Sequence, residues 1–223
     1  MKQELRRGII GHGQDLLNRF GLEDYFLDEK FSNENHALLE NNTTGEVKLV
    51  FRGVDASNPR PSDEVHKRST ILDKERDYGY LDELYRDIKR DYPTAPMEIV
   101  SYSNGGPKGL YLSEKYGVQH YSIDPLLGPK ELGTLMNRDG TSPKLQLVRT
   151  TRPAVAMGGA QTLHEIVHSN PIPNAEILNV EPLPAHSSNP MGVLQQDHGL
   201  VTYPGDGAGR TQVTLADGGG RPI

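Results

Sequence analysis

The sequence contains no cysteine, and that absence excludes several kinds of chemistry. Disulfide bonds, cysteine nucleophiles and thiolate metal ligands are all ruled out, so any nucleophile must be another side chain. Because cysteine usage is the usual indicator of redox compartment, the sequence leaves that compartment open.

A clustered basic excess is lacking as well. The formal net charge at neutral pH is -6, whereas a protein that binds the phosphates of a nucleic acid normally carries a concentrated positive patch. The charge balance therefore predicts no nucleic-acid partner.

Long apolar runs are also missing. A membrane-spanning helix needs about 20 consecutive, mostly apolar residues, and the polar and glycine residues at 11–15 interrupt the only apolar start near the amino terminus. We therefore expect no transmembrane segment and no signal peptide, which predicts a cytoplasmic or non-classically exported protein.

What is present is an alternation of strand-like and helix-like segments over the central part of the chain. A turn-rich stretch at 41–45 separates two strand-like runs, which predicts a hairpin. The predicted strands are 36–40, 46–51, 97–102, 118–123 and 145–150, and the predicted helices are 80–92, 107–116 and 129–136. This alternation predicts an α/β fold with a mostly parallel central sheet flanked by helices on both faces.

Two segments lack this regular pattern. Residues 54–77 are charged and weakly periodic, which predicts a long loop or a partly helical lid. From residue 151 onward the chain is rich in glycine and proline, and only residues 175–180 have the pattern of a strand. We expect a single domain over 1–201 and an extended tail over 202–223, ordered only where it lies against another surface and able to join a protein assembly.

The segment 101–106, Ser-Tyr-Ser-Asn-Gly-Gly, follows a predicted strand and opens a predicted helix. A nucleophile elbow places its serine on a sharp turn between a strand and a helix, so that small residues must stand two positions before and after it. Ser101 and Gly105 meet this requirement around Ser103. The segment therefore predicts Ser103 as a nucleophile, and the alternative is a glycine-rich turn without chemistry.

Together with Val-Phe-Arg-Gly-Val at 50–54, this elbow resembles the class 3 (fungal-type) lipase family over roughly residues 34–130. The resemblance implies an α/β-hydrolase fold, an ester or lipid substrate, an acyl-enzyme intermediate, and no metal or organic cofactor. It also implies an oxyanion hole formed by the backbone near Val54 or Asp55 and by the amide of Asn104, since such donors stabilise the tetrahedral oxyanion.

A serine hydroxyl needs a general base to remove its proton, and the base needs an acid to orient it. The chain order of this fold is serine, acid, histidine, which favours His198 as the base because it lies in a late loop, with His186 as the alternate. His120 lies inside a predicted strand and is expected to be structural, whereas His164 and His168 are expected at the surface.

The acid is where this sequence departs from the family. The family carries an aspartate just after the strand equivalent to 145–150, but residues 150–155 contain no carboxylate. Asp124 and Glu181 are the two substitutes, and Asp124 is preferred because related hydrolases place the acid one strand earlier. The missing acid and Ser101 in place of glycine favour an alternative: a catalytically inactive, lipase-like scaffold that serves as a structural or interaction protein in a larger assembly.

Overall fold

The computed structural model describes residues 22–53, 61–71, 74, 76–150, 172–180 and 214–215. Within these ranges the chain forms one sheet of eight strands, whose spatial order follows their order in the sequence. The strands are β1 (Tyr25–Asp28), β2 (His36–Asn41), β3 (Val47–Phe51), β4 (Met97–Tyr102), β5 (Gln119–Ile123), β6 (Leu145–Thr150), β7 (Ala175–Val180) and β8 (Thr214–Leu215).

The five central strands, β3 to β7, run parallel to one another. β1, β2 and β3 are joined antiparallel, which confirms the predicted hairpin, and β8 pairs antiparallel with β7. Because parallel strands end on the same side, the ends of β3 to β7 define one rim, which we call the carboxyl edge. The strands β1 and β8 were not predicted, since four and two residues are too short to show an alternating pattern.

In the described ranges, four helices accompany the sheet: α1 (Pro61–Ile71), α2 (Gly79–Asp91), α3 (Gly106–Tyr116) and α4 (Pro129–Met136). The last three confirm the predicted helices, and α3 ends at Gly117, whose φ of 70° is the left-handed conformation that glycine allows at a helix end. Among the described residues, no helix has both the length and the apolar character needed to cross a bilayer.

The helices α2, α3 and α4 all pack on one face of the sheet, whereas the sequence predicted helices on both faces. Leu81 and Ile88 of α2 lie in one apolar cluster with Leu49 of β3, and Leu112 of α3 joins it. Leu135 of α4 lies in a second cluster with residues of the same face: Leu110, Leu145 and Leu147. The three helices whose packing on the sheet is described therefore share one face, and the prediction of helices on both faces stays a prediction.

The strand order explains this one-sided arrangement. A connection between neighbouring parallel strands is almost always right-handed. When each new strand is added on the same side of the previous one, as from β3 to β6, every right-handed crossover passes over the same face. Crossover helices lie on both faces only where the direction of strand addition reverses, and periodicity along the sequence carries no information about that direction.

The helix α1 lies inside the segment for which a loop or a partly helical lid was predicted. It contacts α4 and the short turn that follows β4. A buried ion pair between Arg76 and Glu131 holds this region, and Arg76 also donates a hydrogen bond of 2.6 Å to Thr70 Oγ1 near the end of α1. These contacts fasten the end of α1 to α4 beside the carboxyl edge.

Candidate functional site

Ser103 lies at the carboxyl end of β4, where it begins a 3-10 turn that leads directly into α3. Its backbone φ is 48°, in the left-handed region that residues other than glycine seldom adopt and that costs them about 1–2 kcal/mol. The residue is 7% exposed. A sharp, strained turn from a strand into a helix is the geometry that a nucleophile elbow requires.

Two glycines make this turn possible because neighbouring chain segments approach them closely. A Cβ atom on Gly105 would lie 2.7 Å from the carbonyl oxygen of Phe51 and 2.9 Å from that of Arg52. A Cβ atom on Gly106 would lie 2.6 Å from Cβ of Pro125. The small residue that the elbow pattern requires two positions after Ser103 is thus needed to make room for the end of β3.

The carbonyl group of Ser103 is held from two sides. The amide of Leu126, in the loop after β5, donates to it at 2.8 Å, and the amide of Gly106 donates to it from within the turn. Strained backbone persists only where the surroundings determine it. These two hydrogen bonds are part of what keeps Ser103 in its left-handed conformation.

The chain that leaves β3 passes against the elbow. A Cβ atom on Gly53 would lie 3.0 Å from Cβ of Ser103 and 2.7 Å from Cδ1 of Tyr102. Asn104, whose amide is one predicted oxyanion donor, is buried in the turn. Val54, the other predicted donor, lies outside the described residues, but it follows directly after a residue that touches the elbow.

Asp124, the preferred acid, lies at the carboxyl end of β5, the strand next to β4. Its φ of 39° bends the chain away from the strand, and its amide donates to the carbonyl of Val148 at 2.8 Å. Burial and, secondly, the negative charge of Asp124 raise the pKa of Tyr102 to about 12. Asp124 therefore lies beside the end of β4, on the same edge as Ser103.

The other histidine and acid candidates lie outside the described residues; they are His164, His168, Glu181, His186 and His198. Glu181, His186 and His198 belong to segment 181–213, and the residues on either side of this segment are described. β7 ends at Val180, and Thr214 of β8 pairs with Asn179 near that end. Val180 and Thr214, which flank segment 181–213, therefore lie at the carboxyl edge, three and four strands from β4, or about 14 and 19 Å.

His120 belongs to a buried polar network that sequence reasoning did not identify. It is 1% exposed, its Nε2 lies 2.7 Å from Oγ of Ser101, and that oxygen lies 2.9 Å from Oγ of Ser122. Burial and, secondly, the positive charge of Arg138 lower the pKa of His120 to about 3, so the ring is neutral. The available signal was that His120 and Ser122 alternate on the predicted strand that follows the elbow and its helix.

The neutral, buried ring of His120 predicts a specific loss of stability in acid. Its pKa falls from an ordinary 6.5 to about 3 on folding, so below pH 6.5 the unfolded chain binds a proton that the folded chain does not. The neutral ring therefore contributes fully to the free energy of unfolding above pH 6.5. This contribution is lost as the pH falls toward 3, at about 1.4 kcal/mol per pH unit.

Urea unfolding at pH 7 and pH 5 measures this effect. The parent should lose about 2 kcal/mol more between the two pH values than His120→Gln, which cannot titrate. His36, whose pKa burial and Lys108 lower to about 4, contributes equally to both proteins and cancels in the comparison. Equal losses in the two proteins would contradict a neutral, buried His120.

Two further features bear on the chemistry of the site. An open groove of about 700 Å³ lies between α2, α3 and α4, and it is lined by residues such as Tyr78, Tyr111 and Lys130 but not by Ser103. Within the described ranges, no three His, Asp or Glu side chains lie close enough together to hold a metal ion.

No protein-family model matches this chain, and a search of curated proteins finds no match either.

Proposed function

We propose that this chain is a serine hydrolase that cleaves carboxylic esters, with Ser103 as its nucleophile. The observation that carries the proposal is the left-handed backbone of Ser103 at a strand-to-helix turn. Strain of this kind clusters at functional sites, because a protein without a use for it gains stability by relaxing it. The resemblance of the elbow and of the Phe-Arg-Gly segment to class 3 lipases supplies the type of reaction.

The reaction follows from the order of the groups. Ser103 Oγ attacks the ester carbonyl carbon while His198 accepts its proton, and the amides of Asn104 and Val54 donate to the oxyanion. Collapse of this intermediate breaks the ester bond, and His198 returns the proton to the leaving alcohol. Water, activated by the same histidine, then hydrolyses the acyl-enzyme, while Asp124 or Glu181 orients the ring.

Three features of the described residues support this assignment. Gly53, the residue before the proposed donor Val54, lies against the side chain of Ser103. Asp124 lies one strand from the nucleophile, on the same edge. Val180 and Thr214, the described residues on either side of the segment that carries His198, lie at that edge as well. Side chains at the carboxyl ends of parallel strands are where α/β folds assemble their sites.

Labelling with a fluorophosphonate probe tests the nucleophile, because the probe forms a covalent bond with an activated serine. The parent should label at one site, and Ser103→Ala should not label at all. Ser142→Ala, which removes a hydroxyl from a loop far along the chain, should label like the parent. Labelling of Ser103→Ala at the parental rate would show that another serine reacts.

His198→Ala tests the base in the same assay, with His186→Ala as the matched variant. Removing a triad histidine should slow labelling by about 10³-fold or more, and His186→Ala should leave it near the parental rate. The reverse result would move the base to His186. A parent that is folded by circular dichroism and does not label would favour the inactive scaffold.

A further inference from the structure

We infer that Ser101, His120 and Ser122 form a positioning network that holds Ser103 in its reactive geometry, an inference that rests on the proposed function. All three side chains are buried beneath the elbow. Because they are buried, their role is exerted through the backbone that carries the nucleophile. They are positioning residues and not catalytic ones.

The register of the sheet puts the network directly under Ser103. Ser101 is the last residue but one of β4, and the turn that carries Ser103 begins directly after that strand. Ser101 pairs with Ser122 on β5, and His120 lies two residues earlier on that strand. The hydrogen bonds of 2.7 Å and 2.9 Å at Ser101 Oγ therefore join the parallel strands β4 and β5 on their helix-covered face.

The imidazole of His120 also sets the distance between the sheet and α3. A Cβ atom on Gly109 would overlap Nε2 of His120, so the helix backbone rests directly on the ring. The strand before the Ser103 turn is bonded to this ring, and the helix after the turn is packed on it. One side chain thus fixes both ends of the elbow, which over-determines its strained residue.

The surroundings of His120 indicate which nitrogen carries the proton. Nδ1 is buried and has no hydrogen-bond partner among the described residues, and His120 lines a small, mostly apolar cavity together with Leu110, Leu127 and Leu145. An unpaired N–H in such a place is rarer than an unpaired acceptor. We therefore assign the proton to Nε2, which donates to Ser101, while the Ser101 hydroxyl donates to Ser122.

This arrangement predicts that disturbing the network slows the reaction of Ser103 more than it weakens binding. A displacement of the reacting atom by about 1 Å costs a reaction on the order of 100-fold in rate. The network side chains are buried, so we expect them to act through the position of Ser103 and not through contacts with the probe. The rate of covalent modification and the affinity for the probe should consequently respond differently.

The fluorophosphonate reaction separates the two quantities as kinact, the limiting rate of modification, and KI, the concentration for half-saturation. Ser101→Ala and His120→Leu should lower kinact about 10- to 100-fold and leave KI within about twofold. His120→Gln keeps an N–H donor where Nε2 stands and should recover most of kinact.

Ser113→Ala is the matched control. Its hydroxyl is equally buried and donates to the carbonyl of Val118 at 2.7 Å, at the other end of α3. It should lose a similar amount of thermal stability and keep the parental kinact. If Ser101→Ala and His120→Leu match Ser113→Ala in kinact at equal stability, the network is only structural and the inference is overturned.

Nitrogen chemical shifts of His120 distinguish this failure from a failure of the proposed function. In the parent, the shifts should show a proton on Nε2 and none on Nδ1. If Ser101→Ala loses this pattern, the network exists as assigned. If the parent shows this signature but does not label, the hydrolase proposal fails and the positioning role falls with it. If the parent labels but carries its proton on Nδ1, the network as assigned is wrong.

Discussion

Replacing Arg138 with methionine is expected to lower the free energy of unfolding by about 3–5 kcal/mol. The side chain is fully buried and pairs with Glu114 of α3. It also donates to the carbonyl of Pro143 before β6, and to those of Pro173, at 3.2 Å, and Asn174 before β7. Methionine fills the space but leaves the Glu114 carboxylate and the carbonyls of Pro143 and Pro173 without this donor, whereas the carbonyl of Asn174 still accepts from the amide of Leu145.

Urea unfolding of Arg138→Met measures this loss. Arg90→Met is the matched control, because Arg90 pairs with Asp87 and Asp91 but its side chain is 67% exposed, and such pairs contribute about 0–1 kcal/mol. Adding Glu114→Gln to Arg138→Met should restore part of the stability by removing the charge left alone. A loss of less than about 1 kcal/mol in Arg138→Met would contradict its role as a clamp.

Replacing Gly105 with alanine is expected to destabilise the fold by about 1–3 kcal/mol and to abolish labelling of Ser103. The added Cβ would meet the carbonyl oxygens of Phe51 and Arg52 at 2.7 and 2.9 Å. These are backbone atoms of a paired strand and its continuation, so they cannot turn aside as a flexible side chain does. The turn itself must shift, and the nucleophile shifts with it.

Gly133→Ala is the matched control for this substitution. Nothing lies within 4 Å of a Cβ atom at Gly133, which is inside α4. Alanine there should stabilise the protein by about 0.5–1 kcal/mol through its higher helix propensity. The two glycine substitutions therefore have opposite signs, and a Gly105→Ala protein with parental stability and labelling would show that the elbow is not tightly packed.

Local patterns were sufficient to predict most elements of secondary structure. The amphipathic spacing of Leu81, Leu84 and Ile88 predicted α2, and the asparagine and glycine residues at 41–45 predicted the hairpin of β2 and β3. Both depend on contacts between residues close in the chain, which periodicity and turn chemistry record directly. The elbow was located in the same way, since its strand, its small residues and its helix are adjacent in the sequence.

The order of the strands and the choice of partners over long distances could not be predicted in this way. The hydrogen bond from Arg138 to Glu114 joins residues 24 positions apart in the chain, and the hydrogen bond between Ser101 and His120 joins residues 19 positions apart. An arginine and a histidine have many chemically suitable partners in a chain of this composition. Which of them lies within reach depends on the packing of whole elements, and no local pattern encodes that packing.

The sequence by itself therefore determined the α/β character of this protein, the absence of cysteine chemistry, and Ser103 as the residue at a strand-to-helix turn. Only the tertiary structure decided that α2, α3 and α4 share one face, that Ser103 is held at a φ of 48°, and that His120 links Ser101 to α3 beneath it. The physical reason is that secondary structure follows from short-range backbone preferences, whereas strained backbone and buried polar bonds exist only where distant segments enforce them.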